Sequence, residues 1–509
     1  MVALVLMAVL AVAARAQAAE LVYWNNYGAT PQTISVANID GTGGGALNFN
    51  GAQLVDPEGM AIDTATARLF VVSSNAGAAK NGEIDFVNLN GSGAGVFTAP
   101  GAPVDDPFGV VVDPVTRTIY WANSGAGEGD GSIAWAKLDG SSGGVLNTTG
   151  ATLVDPYKIG LDPVNGRVYW GNNPPGPGGK ISISYANVNN TGGGNLPLST
   201  SPGSVYAFAV DPGGGRLYWS EGGEKRFAYT GLLGGVVSTL DTTGAVENSS
   251  YGFAIDPTLN RLYWPNYNNA ENRTDGLGFA SLSGGGGNIT PQTAPFHGPQ
   301  DLLVLKSPTA TGAPTVARAQ SGRSTLACST GTWAADFAGS FVYQAPSGYA
   351  YQWTRNGQFI SGATATTLTA TTPGEYGCIV TAANQAGSTA QASAGVPVKA
   401  AKLKLTTKKK ARVHPGGVAT FTVKAVNQGD LKSKSAEVCV KVPKKAKKVL
   451  KAPKCTALGK VRGRGKDSVK LRIKADEDAV GTYKVTFQVR GSAGKSAQAT
   501  ILVSPPKKK

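Results

Sequence analysis

Histidine is almost missing from this sequence. Two stand in 509 residues, His297 and His414, and two scattered imidazoles make neither a catalytic triad nor a histidine-rich metal centre. Cysteine is nearly as scarce: Cys328, Cys378, Cys439 and Cys455 all lie beyond residue 327, so the larger N-terminal part has no disulfide and no thiolate ligand. After residue 19 no stretch approaches the roughly 20 apolar residues that a membrane-crossing helix needs. Charge is thin as well, at 16% of residues, and long blocks of helical periodicity do not occur.

What is abundant is glycine, 69 residues, set between short runs of aromatic and β-branched side chains. That pattern reads as strands joined by turns, and the expected class is all-β. The length exceeds what a single core serves and implies about three domains.

The one long apolar run is at the start, Val2 to Ala14, followed by Ala16, Gln17 and Ala18 in a small-x-small pattern. Residues 1–19 are therefore expected to be a signal peptide, although no Lys or Arg precedes the apolar run and a buried first strand is the alternative. No cysteine stands beside the cleavage point to be lipidated, and an even cysteine count in an exported chain suits two disulfides. The expected location is secreted, extracellular or attached to the cell envelope.

The net charge of +15 conceals an asymmetry. Residues 400–509 hold 29 Lys and Arg against 6 Asp and Glu, a net of +23, which leaves −8 for the rest. The two parts are different electrostatic objects.

One internal pattern recurs: an apolar triplet, an Asp, a turn, an Arg and an aromatic pair. It occurs at Asp63 with Arg68 and Phe70, at Asp113 with Tyr120 and Trp121, and at Asp162 with Arg167, Tyr169 and Trp170. It returns at Asp211 with Arg216, Tyr218 and Trp219, and at Asp256 with Arg261, Tyr263 and Trp264. About a dozen residues past each pair comes an alternating strand, such as Ile133 to Leu138, ending in a Gly-rich turn. The chain enters the pattern midway, at Leu21 to Trp24, and leaves it midway, at Asp301 to Leu305. If the last strand completes the first unit, six four-stranded blades close a ring and no sheet edge stays open.

These blades resemble the YWTD repeats of the low-density lipoprotein receptor class, and five of six positions keep Tyr-Trp, with Phe70-Val71 the exception. The resemblance covers 20–306 and implies a six-bladed β-propeller. The family follows its Tyr-Trp with Thr-Asp, where this chain has Asn25-Asn26, Ala122-Asn123, Gly171-Asn172, Ser220-Glu221 and Pro265-Asn266, so receptor ligands do not carry over.

Residues 307–400 resemble the immunoglobulin-like modules of bacterial surface proteins, on Cys328, Trp353, and Tyr376 two residues before Cys378. The resemblance implies a Cys328 to Cys378 bridge between two sheets, with an extra hairpin around 333–351 to accommodate. Residues 401–509 alternate again and resemble the adhesion-type (CARDB-like) sandwiches of exported bacterial proteins, with Cys439 and Cys455 in neighbouring segments. The whole reads as a propeller plus two β-sandwich, immunoglobulin-like domains.

The repeated Asp at 63, 113, 162, 211 and 256 is expected to lock its strand end, opposite the turn residues Arg68, Arg167, Arg216 and Arg261, rather than to do acid-base work. Five residues before each Asp, at one mouth of the ring, stand Glu58, Phe108, Tyr157, Tyr206, Tyr251 and, in the closing unit, Gln300. Equivalent positions face a common axis, so these form an aromatic collar with one carboxylate and one amide, suited to stacking on sugar faces or extended peptide. The alternative is that the rings simply plug a narrow bore. Such a set does not chelate a metal well, and no metal, cofactor or catalytic residue is expected. Loops carrying Asn172, Asn173, Asn266, Asn268 and Asn269 are expected to add polar contacts on the same face.

The basic end, with runs such as Lys408 to Lys410 and a terminal Lys507 to Lys509, suits docking on anionic wall polymers or lipid headgroups, or else is a solvated face. No nucleic acid is expected, since no aromatics interleave with the charge. The expectation is a binding protein with a glycan or peptide ligand; the alternative is a propeller enzyme of lactonase or lyase type at the channel mouth.

Overall fold

The computed structural model describes residues 20–49, 54–74, 82–125, 131–174, 181–221, 225–267, 276–319 and 323–505. The expected signal peptide at 1–19, Asn268, Asn269 and the lysines at 507–509 lie outside the described residues. Among the described residues the regular elements are strands and two short 3₁₀ turns, and no helix is long and apolar enough to cross a membrane.

Six antiparallel sheets make a β-propeller. In a complete blade the order is inner to outer along the chain, as in Pro156–Asp162, Arg167–Asn172, Ser182–Asn187 and Gly193–Asn195. Each second strand is buried nearly throughout, and Trp24, Trp121, Trp170, Trp219 and Trp264 are among the largest fully buried side chains. Burying such rings is the main apolar contribution to each blade-to-blade seam. Outer strands are short and glycine-rich because they cross closely over the third strand: a Cβ on Gly193 would lie 1.9 Å from the Tyr185 carbonyl oxygen.

The seam closes as the half-repeats predict. Leu302–Lys306 pairs with Glu20–Asn26, with Leu21 opposite Leu305 and Trp24 opposite Leu302, so the last strand is the innermost strand of the first blade. Asn25 fastens this closure, its side-chain oxygen accepting from the backbone N–H of Gln300 at 2.7 Å and of Asp301 at 2.8 Å.

The turn Asp residues cap their own turns. Asp162 accepts from Val164 N at 3.0 Å and Asn165 N at 3.1 Å, and Asp256 accepts from Thr258 N at 2.8 Å. The expected opposition holds in register, Asp63 with Arg68, Asp162 with Arg167, Asp211 with Arg216 and Asp256 with Arg261, while each guanidinium lies over a ring, of Phe86, Tyr185, Tyr229 and Phe279 in turn, at 4.3 to 4.9 Å from the centroid. Each Arg stacks on the third strand because that ring is its cross-strand neighbour but one, and a guanidinium lies flat on a ring more readily than it bends back to a capped carboxylate.

Two β-sandwiches follow. In the first, a disulfide joins Cys328 to Cys378, Trp353 is buried opposite Cys378 in register, and the Tyr376 hydroxyl donates to Thr372 O at 2.8 Å. In the second, two five-stranded sheets close over a core containing Phe421 and Phe487, 5.3 Å apart, and a disulfide joins Cys439 to Cys455 on adjacent strands. Asp430 ties the two sandwiches together, bonding Arg318 at 3.2 Å, Arg464 at 2.9 Å and Lys399 N at 2.8 Å.

The segment 333–351 is no free hairpin. Its 3₁₀ turn Ala338–Ser340 and strand Val342–Tyr343 press into the propeller, the strand pairing parallel with Val304 and Leu305. Ser340 Oγ donates to Val210 O at 2.6 Å, Thr64 Oγ1 donates to Asp336, and a Cβ on Gly339 would stand 1.8 Å from Leu161 O. Val210, Leu161 and Thr64 lie at the Asp ends of the inner strands, so this segment stoppers the lower mouth of the bore.

Candidate functional site

The opposite mouth is where the inner strands begin. Phe108 and Tyr157 stack at 4.4 Å with planes 27° apart; Tyr157 meets Tyr206 at 5.7 Å and Tyr251 at 6.4 Å, and Tyr206 meets Tyr251 at 5.2 Å. These offset and edge contacts are the arrangements aromatic quadrupoles favour. All four residues are half-buried. Their side chains meet one another from successive blades, so the four aromatic positions of the expected collar come together as a packed aromatic floor.

Glu58 and Gln300 are placed differently. Both are buried, at 3% and 6% exposure, and each keeps an oxygen with no hydrogen-bond partner, Glu58 Oε2 and Gln300 Oε1. Two further rings extend the floor: Tyr267 meets Tyr251 at 5.3 Å, and Tyr27 meets Tyr267 at 6.4 Å. Both stand three residues after a blade tryptophan, Trp24 or Trp264, and that spacing was the available sequence signal.

Under the floor lies a charged interior. Lys158, only 4% exposed, reaches across the bore and donates to Glu58 O at 2.7 Å and Phe108 O at 3.2 Å, with its ammonium 5.8 Å from the Tyr157 ring. Asp301, also buried, accepts from Met60 N at 2.8 Å and Leu302 N at 3.0 Å. Burial pushes the Glu58 carboxyl up to about 8, against the pull of Lys158 and of the Ser74 hydroxyl. Burial likewise pushes Asp301 up to about 6, against Lys158 and its two backbone donors. The Tyr157 and Tyr251 hydroxyls are also raised, chiefly by burial and further by Glu58 and their neighbouring tyrosines. A small cavity remains between Lys158, Asp301, Tyr251 and the stopper residue Phe341. The bore is thus floored at one mouth and stoppered at the other.

Of the asparagines expected to line this face, the three described ones are committed to structure. Asn172 and Asn266 are buried, accepting from Val154 N at 2.9 Å and Asn248 N at 3.0 Å, and Asn173 exchanges two bonds with the Val205 backbone. They hold the loop that leads into the inner strand, as does the neighbouring indole of Trp170, which donates to Thr152 O at 3.1 Å. A buried amide must be satisfied, and these loops supply the partners.

Chemically the mouth offers flat, electron-rich faces edged with hydroxyls. Among the described residues one set of three close metal-type side chains occurs, Glu437, Cys439 and Cys455, far along the chain, and its two cysteines are disulfide-bonded.

No protein-family model matches the chain, and no curated protein matches it. Among solved structures, a chain of a nidogen/laminin complex is similar at 18% identity, covering 56% of this chain and 98% of its own length, with a TM-score of 0.42. A chain of the Kuenenia stuttgartiensis hydrazine synthase is similar at 16% identity, covering 46% and 67%, with a TM-score of 0.34.

Proposed function

We propose that this is a secreted or cell-surface binding protein whose propeller takes a glycan or an extended peptide on the aromatic floor. The sandwiches act as a spacer, and the basic C-terminal one contacts the anionic cell envelope. The observation that carries the reading is the floor itself: half-buried rings at 4.4 to 6.4 Å from one another at one mouth of the bore. Rings held in place by their neighbours lose little entropy when a sugar face or a peptide plane settles on them. Export accords with the two disulfides.

A second reading has one observation in its favour. Glu58, with its carboxyl near 8, is the kind of group that general acid-base catalysis uses, which suits a propeller enzyme acting at this mouth. Against it, Glu58 lies beneath the rings with Lys158 alongside, and no histidine stands at the collar positions.

The full chain, screened on glycan and peptide arrays and in parallel for chelator-sensitive turnover of lactones, separates the two. Saturable binding without turnover is expected. Turnover abolished by Glu58→Gln would replace binding with catalysis.

A further inference from the structure

The positive charge of the second sandwich is ordered on one of its sheets. That sheet runs Leu450–Lys451, Lys466–Ala475, Val418–Asn427, Leu403–Thr406 and Gly494–Lys495, side by side. Val418–Asn427 alternates exposed and buried along its whole length, and the even-numbered residues face out. On Lys466–Ala475 the outward residues are Lys466, Ser468, Lys470, Arg472 and Lys474, all exposed.

One position in that row is neutral, Ser468, and the register places Lys424 of the neighbouring strand directly opposite it. The result is an unbroken row, Lys466, Lys424, Lys470, Arg472, Lys474, with a cation at every two-residue step of about 6.6 Å. Beside the row stand the hydroxyls of Thr422, opposite Lys470, and Thr420, opposite Arg472, and the sheet carries three further exposed cations, Lys451 opposite Lys474 at one edge and the paired Lys404 and Lys495 at the other. Asp467, the one acid in the strand, is at an odd position and so belongs to the other face. The opposite sheet has no such row: Thr482, Thr486 and Gln488 separate Lys484 from Arg490 and from the strand's end, and Arg490 pairs with Glu437 in register.

Like charges side by side on a sheet destabilise it, so a fold that lines them up sets the cost against something outside itself. Five cations in one line along the strand direction match a partner that repeats its negative charge along a line, and no aromatic side chain occupies an outward position in the row or on its neighbour strand to stack on bases. Resting on the envelope-contact reading, we infer that this sheet face is a binding rail for an extended linear polyanion. Its partner is a phosphodiester or carboxylate polymer that lays successive negative charges along Lys466–Ala475 and accepts hydrogen bonds from Thr420 and Thr422.

The test uses the full chain with long-chain inorganic polyphosphate, and with phosphatidylglycerol vesicles and a thymidine oligonucleotide as competing probes. One variant removes the row (Lys466→Gln, Lys470→Gln, Arg472→Gln, Lys474→Gln); a control removes the same charge from the opposite sheet (Lys410→Gln, Arg412→Gln, Lys484→Gln, Arg490→Gln). The row variant should lose more than about tenfold in polyphosphate affinity at low salt, and its slope of log affinity against log salt should fall by about 3, while the control moves little. Unfolding midpoints of both variants at or above the parent's show that neither effect is misfolding. Equal losses in the two variants overturn the rail and leave a general envelope contact standing. A parent chain that binds none of the probes overturns both, and preference for vesicles or oligonucleotide over polyphosphate overturns the linear partner.

Discussion

Glu58 and Asp301 are acids held inside the bore, their carboxyls pushed up from ordinary values to about 8 and about 6. A raised acid binds its proton more tightly in the folded state than in the unfolded one, so its contribution to stability is present at low pH and lost as pH rises toward the folded value. For Glu58 that window runs from about 4.5 to about 8. The unfolding midpoint should therefore fall between about pH 5 and pH 8, and Glu58→Gln should flatten the fall and leave the variant more stable than the parent at the upper end. A midpoint that stays flat over that range, with Glu58→Gln changing nothing in its slope, would show that Lys158 holds Glu58 ionised throughout. The collar positions themselves were legible, because five residues before a repeated Asp is a fixed place on a repeated strand. Lys158 was not, since reading it requires knowing that the residue after Tyr157 turns into the bore and meets the carbonyls of Glu58 and Phe108. Whether the collar encircles an opening or plugs the bore stayed open in the sequence, because ring-to-ring distance depends on the bore radius and not on spacing along the chain.

At the scale of the strand and its turn, Asp162 and Arg167 face each other in register yet act separately: the carboxylate caps Val164 and Asn165, and the guanidinium lies 4.3 Å from the Tyr185 ring centroid. Asp162→Ala leaves two N–H groups without their acceptor and should cost about 1 to 2 kcal/mol. Arg167→Ala should cost about 0.5 to 1 kcal/mol, the value of an exposed cation–π contact. A double-mutant cycle by denaturant unfolding should show them additive to within about 0.5 kcal/mol; coupling well above that would restore the direct Asp–Arg lock. The tryptophans, the alternation and the Asp were readable in sequence because each blade repeats them. The partner of each Arg depends on a third strand whose register no pairwise spacing reveals.

For the whole molecule, the propeller and its ring closure follow from half-repeats at the two ends, where Leu21 to Trp24 finds Leu302 to Leu305. The stopper does not, because Asp336 to Tyr343 carries no propeller pattern and looks like an insertion until its contacts with Leu161, Val210 and Val304 are seen. Gly339→Val places carbon against the Leu161 carbonyl and should undock this segment without unfolding the sandwich. Hydrogen exchange should then rise at Val304, whose N–H donates to Phe341 O, and at Val342 while the strand around Cys378 stays protected; unchanged protection at both would mean the segment is not seated in the bore.

A recognition platform on the propeller stands or falls on the rings at its upper mouth. The most direct measurement is the affinity of an array-identified glycan or peptide for the full chain and for Tyr206→Ala and Tyr251→Ala, each variant checked for an unaltered fold by circular dichroism. Loss of a stacking partner should weaken binding by about 1 kcal/mol or more per ring, several-fold to tenfold, with Tyr→Phe at the same positions retaining most of it. Unchanged affinity in both alanine variants would contradict the account and leave the rings as packing that closes the bore.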